Sequence, residues 1–137
     1  PPPALDFDYC ELGCAHGDTL AALAAAHPEG RFLGVDLSAA HVASAKRLAR
    51  DGALENIGFL EQDFGVLLEE DIGEFDYIVA HGLLSWIAPE KRAQLRAFAQ
   101  AKLKPGDTRE FRLPFEGIPP QWNQAMPSMV IASIEFP

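Results

Sequence analysis

Cysteine is scarce in this 137-residue chain, which has only Cys10 and Cys14. Two cysteines cannot build a disulfide framework, and a chain of this length can bury a hydrophobic core without one. Long apolar runs are also missing, so no segment reads as a membrane span, and no basic stretch leads into an apolar one as in a secretory leader. A reducing, cytoplasmic setting with no membrane contact is the expectation. Positive charge is the third shortage: 11 Lys and Arg face 20 Asp and Glu, for a net charge of −9. From Asp51 to Glu90 there are ten acids and no Lys or Arg. Such a surface repels a phosphate backbone, which makes nucleic acid a poor partner, and it reads as a solvated face rather than a cation site.

What is present is a globular composition, 48% hydrophobic, with strands and helices in alternation. Phe7 to Leu12 reads as a strand ending at Gly13, and Asp18 to Ala26 as an alanine-rich helix stopped by His27-Pro28-Glu29-Gly30. Arg31 to Val35 is a second strand ending at Asp36. Ser38 caps a helix with Val42, Ala45, Leu48 and Ala49 on one face, running to Asp51-Gly52. Ile57 to Glu61 and Phe75 to Ala80 are further strands. Pro89 opens a helix carrying Leu95, Phe98 and Ala99, which Lys104-Pro105-Gly106 ends. This alternation predicts an α/β fold: a three-layer, Rossmann-like sandwich around a mainly parallel twisted sheet, with ligands outside the carboxyl ends of the strands. Arg109 to Leu113 and Met129 to Phe136 are candidate strands, but Pro114, Pro119, Pro120 and Pro127 leave no helix between them. One domain spanning 1–137, trimmed from a longer chain and discontinuous between Gly106 and Ser128, is therefore expected.

The stretch YCELGCAHGD, residues 9 to 18, admits three readings. As a metal site it offers Cys10, Cys14 and His16, but His27, His41 and His81 are scattered and complete no tetrahedron. No metal is expected, and Cys10 reads as a small buried apolar residue. As a dinucleotide loop it would need glycine at positions 13, 15 and 18, where the chain has Gly13, Ala15 and Asp18. An acid at a helix N-terminus competes with a pyrophosphate for the same dipole, which disfavours NAD, FAD and ATP. A ligand with an adenosine, no phosphate and a positive group fits better, and S-adenosylmethionine is such a molecule. Gly13 and Gly17 then let the backbone turn close to the ligand. Asp36 can accept both ribose hydroxyls, and Asp63, with Phe64 beside it, can accept from the adenine amino group.

ELGCAHG resembles the first motif of class I S-adenosylmethionine-dependent methyltransferases, FLGVDLS their second-strand motif, FLEQDF the third, FDYIVAHGLLSWI the fourth strand with its exit, and LKPGD the turn before the fifth. The likeness spans residues 7 to 107. YCELGC and HGLLSWI are similar to a subgroup that pairs this domain with a methyltransferase regulatory domain, and some of whose members methylate protein lysines. The resemblance implies S-adenosylmethionine as cofactor and methyl transfer to an unidentified protein or small-molecule acceptor. It implies that Glu11 anchors the ammonium end, that Cys14 and Ala15 line the loop with Gly13 and Gly17, and that Leu37 sits beside Asp36. His81 and Gly82 would touch the methionine portion, and Trp86 and Ile87 would face the acceptor unless they belong to the core. It identifies no catalytic residue. The family's Asn/Asp-Pro-Pro-aromatic signature for amide and nucleic-acid nitrogens is absent, glycine is usual where this chain has Ala15, and TREFRLP departs from the subgroup. A cofactor-binding module without transfer activity and an NAD-dependent oxidoreductase stand as alternatives.

Overall fold

Strand β1, Asp8–Leu12, runs through the middle of a four-stranded sheet because its residues are buried on both faces: Cys10 and Leu12 on one, Tyr9 on the other. The computed structural model describes residues 6–83 and 86–105. Helix α1, Asp18–Ala26, leads to β2, Arg31–Asp36, and helix α2, Ala39–Asp51, leads to β3, Ile57–Glu61. A single 3-10 turn at Leu67–Glu69 precedes β4, Tyr77–Val79, and helix α3 spans Pro89–Lys102. The strand order is β3-β2-β1-β4 and every pairing is parallel. The expected α/β sandwich is the observed architecture. The chain reverses its direction of travel across the sheet beside β1, so the switch point lies at the carboxyl ends of β1 and β4.

One core fills each face. Leu20 and Ala24 of α1 and Val42, Ala45 and Ala49 of α2 pack with Cys14, Phe32 and Phe59. On the other face Leu95 and Phe98 of α3 pack with Cys10, Leu12, Val35, Phe64 and Leu67. Ser38 caps α2 as its sequence position implies, its Oγ accepting from the His41 N–H.

Two expectations are corrected. The apolar spacing puts Leu48 on the buried face of α2, but it is exposed, because the helix meets the sheet through the narrower stripe Val42-Ala45-Ala49. The fourth strand is shorter than Phe75 to Ala80. Phe75 instead bridges Leu103 beyond α3, with its N–H donating to Lys102 and its carbonyl accepting from Lys104. The candidate strands at Arg109 to Leu113 and Met129 to Phe136, and the expected break between Gly106 and Ser128, lie outside the described residues.

At the amino end of the sheet, Asp8 is buried but fully paired. Its carboxylate meets Arg31 at 2.6 Å and Lys104 at 2.7 Å, and Lys104 also reaches Asp76 at 2.9 Å. Burial works to raise the Asp8 carboxyl, but the hydrogen bonds from Lys104 and Arg31 prevail and hold it below its ordinary value.

Candidate functional site

The loop leaving β1 is built from alternate left-handed residues: Gly13 at φ 76°, Ala15 at φ 48° and Gly17 at φ 77°. Glycine takes this conformation without strain, whereas alanine does not. Gly17 is required on a second count, since a Cβ there would lie 2.8 Å from the Phe59 ring and 2.9 Å from the Ala45 Cβ. Main-chain bonds fix the loop: Gly13 and Cys14 both donate to the Val35 carbonyl, and Gly17 donates to that of Cys14. The Cys14 side chain turns away into the core over Gly34, so Cys14 offers the loop only its backbone.

Asp36, at the end of β2, closes this corner. Its Oδ2 accepts from the Ala15 N–H at 2.9 Å and its Oδ1 from the Ser38 N–H at 2.9 Å. The His41 Nδ1 lies 3.3 Å from the same Oδ1, and the His16 ring stands 4.5 Å from the His41 ring. Next to Asp36, Leu37 is 66% exposed, an apolar side chain presented at the mouth of the site.

Glu11 is the penultimate residue of β1 before the loop, paired in register with Gly34 and Val79. It is 7% exposed, and among the described residues no donor reaches its buried Oε2. Burial pushes its carboxyl above the ordinary range, and His81 partly offsets this. His81 and Gly82 are exposed at the exit of β4, and the space where a Gly82 Cβ would stand is open. Leu83 lies against Gly13.

Asp63, after β3, accepts from the Gly65 N–H and forms an ion pair with Lys91 of α3. The Lys91 hydrogen bond, reinforced by that of Gly65, holds its carboxyl below the ordinary value. The Phe64 side chain is buried with Leu67 and Leu95, so it presents no ring to the site. Trp86 is 89% exposed and lies outside the core, while Ile87 packs against the α3 core cluster. Burial, with negative neighbours, pushes both Cys10 and Cys14 up to about 12, so neither is a nucleophile at neutral pH. Among the described residues no group of three His, Cys, Asp or Glu side chains is arranged to hold a metal, and no helix is long and apolar enough to cross a membrane.

Glu11, the 13–17 loop, Asp36, Leu37 and His81 thus gather at the carboxyl ends of β1, β2 and β4, with Asp63 at the end of β3. The sequence reading missed His41 as a partner of Asp36, and Lys91 and Gln94 as α3 residues reaching the Asp63–Gly65 turn. Only His41 left a signal, five residues past Asp36 and in the first turn of a helix that Ser38 begins.

The chain matches the family of methyltransferase domains over residues 10–106. It is 35% identical over 101 residues to an uncharacterized protein of Synechocystis sp., covering 74% of this chain and 20% of that protein. It is 32% identical over 106 residues to the trans-aconitate 2-methyltransferase of Deinococcus radiodurans, covering 76% and 36%. Among solved structures it is similar to PKMT2 from Rickettsia typhi in complex with AdoHcy, at 31% identity and a TM-score of 0.71, covering 76% of this chain and 20% of that one. The chain therefore spans between a fifth and about two-fifths of the length of these relatives. With the parallel sheet, the glycine-bearing loop at its switch point and an acid closing β2 all in place, the chain belongs to the methyltransferase domain family, class I proteins that depend on S-adenosylmethionine.

Proposed function

We propose that this chain is the cofactor-binding and transfer domain of a methyltransferase, one domain of a longer cytoplasmic protein, and that it holds S-adenosylmethionine at the corner described above. The observation that carries this reading is the Glu11 carboxylate, buried with its Oε2 unpartnered among the described residues. A buried charge without a partner costs stability, and a ligand ammonium beside it would offset that cost. The rest of the corner is compatible. Gly13, Cys14, Ala15 and Gly17 would offer main chain to the methionine portion, with His81 and Gly82 across from them. Asp36 would accept from the ribose hydroxyls, and Leu37 would pack against the adenine. Asp63 would take the adenine amino group only by sharing its carboxylate with Lys91.

When bound, S-adenosylmethionine supplies a sulfonium methyl that an acceptor nucleophile takes by in-line displacement. The work of this chain is to orient the reacting ends and keep water away. No base is assigned: a neutral acceptor needs none, and a lysine would first lose its proton to water or to an acid near the channel. The subgroup resemblance supports a protein lysine as acceptor, with a small molecule as the other class, and exposed Trp86 is a candidate wall for it.

Calorimetry with S-adenosylhomocysteine tests the reading. A dissociation constant near 1 μM, about 8 kcal/mol, is expected, and NADH should give no heat. Asp36→Ala should lose roughly 1.5–3 kcal/mol of binding and Asp63→Ala less, because Asp36 is the more buried acid and Asp63 is already tied to Lys91. No heat at about 1 mM ligand would overturn the assignment.

A further inference from the structure

The partners of Asp36 are already numerous. A carboxylate oxygen has room for about two hydrogen bonds. Oδ1 has two neighbours, the Ser38 N–H and the His41 ring, whereas Oδ2 has one, the Ala15 N–H. A ribose diol brings two donors. One fits the open side of Oδ2; the other must displace a partner of Oδ1. The Ser38 N–H belongs to the main chain at the start of α2 and cannot leave, but His41 is a half-exposed side chain that can. We propose that His41 competes with the cofactor's ribose for Asp36, and that its protonation decides the contest. This rests on the assignment of Asp36 to the ribose.

A neutral His41 donates one ordinary hydrogen bond and yields. A protonated His41 makes a charge-assisted one, about twice as strong, and holds the oxygen that the ribose needs. Acidification favours the protonated ring and should therefore loosen the cofactor. The other ionisable groups at this corner are His16, whose ring lies tilted against that of His41, Cys14 beneath the loop, Glu61 opposite Asp36 on β3, and Glu11 near the end of β1. Cys14 stays neutral throughout. Glu11 would weaken ammonium binding on protonation, with the same sign as His41, so only a comparison of variants separates the two.

The experiment is calorimetric titration of the chain with S-adenosylhomocysteine at about pH 5.5 and about pH 8, a range in which the ligand's own groups keep their charge. Wild type should bind roughly three- to tenfold more weakly at the lower pH. His41→Gln, which can still donate to Asp36 but cannot charge, should lose most of that fall, while the Glu11 contribution remains. Titration near pH 6.5 in buffers of different ionisation enthalpy should show wild type releasing protons on binding, and His41→Gln releasing fewer. Binding with the same pH dependence and proton release in both proteins overturns the role of His41 and leaves the cofactor assignment standing. Absence of binding at both pH values overturns both.

Discussion

Asp8 and Glu11 lie three residues apart on β1, and both are buried, at 8% and 7% exposure, yet they live under opposite rules. Asp8 meets Arg31 and Lys104 at the amino end of the sheet, and its carboxyl is held low. Glu11, at the carboxyl end, has an oxygen with no partner among the described residues, and its carboxyl is pushed up by burial. One acid ties β1 to the start of β2 and the chain after α3. The other destabilises the fold it sits in. In a parallel α/β sheet the two ends divide the labour: stability is built where strands begin, and chemistry is placed where they end.

The largest test of this contrast is at the amino end. Asp8→Ala removes the shared partner of Arg31 and Lys104 and leaves Asp76 to Lys104 alone. Breaking a buried pair costs roughly 3–5 kcal/mol, but both cations reach solvent here, so a loss of about 2 kcal/mol is expected in chemical denaturation. Binding of S-adenosylhomocysteine should stay within about twofold of wild type. A large loss of affinity with little loss of stability would erase the division between the ends.

Glu11→Gln should do the reverse. Relieving a buried, unpartnered charge should raise stability by about 1 kcal/mol at neutral pH, while affinity falls about tenfold, or 1.4 kcal/mol. The pH dependence of stability should separate the two acids further. The carboxyl of folded Glu11 is raised above its ordinary 4.5, so acidification toward that value protonates the folded state first and stabilises it. Folded Asp8 is lowered below its ordinary 3.8, so its contribution is complete above that value and is lost as the pH falls further. Wild type should therefore gain stability and then lose it on acidification. Glu11→Gln should lack the gain; an unchanged profile in that variant would mean that Glu11 is paired in solution.

Most of this architecture is legible in the amino-acid sequence. Helices α1, α2 and α3 and strands β1, β2 and β3 fall within a residue or two of the apolar periodicity and its Ser38, Pro89 and Gly signals, because local chemistry sets them. The fourth strand was overestimated because Phe75 looks like a strand residue by composition, while its actual partner, Leu103, lies 28 positions later. The candidate corner was legible where backbone geometry demands a residue type, as at Gly13 and Gly17, and where an acid ends an apolar strand, as at Asp36. Phe64 looked like a ring beside the adenine, but the turn after β3 rotates it into the core. Lys91 on Asp63 and His16 on His41 are meetings of side chains from separate elements, and no local pattern announces them.

The finest test concerns Ala15. Its φ of 48° is left-handed, which costs an L-residue roughly 1–2 kcal/mol. Ala15→Gly removes that cost but adds chain freedom to the unfolded state, worth about 0.5–1 kcal/mol against it. The balance predicts a gain of about 0.5–1 kcal/mol, read as a higher denaturation midpoint. The bond to Asp36 comes from the main-chain N–H and survives the change, so the acid stays in place. The methyl group also leaves the exposed side of the loop, so binding of S-adenosylhomocysteine should hold or tighten slightly. A drop in stability would mean that the Ala15 methyl group makes contacts worth more than the left-handed strain, and that the carboxyl end of the sheet is less strained than its dihedral angles imply.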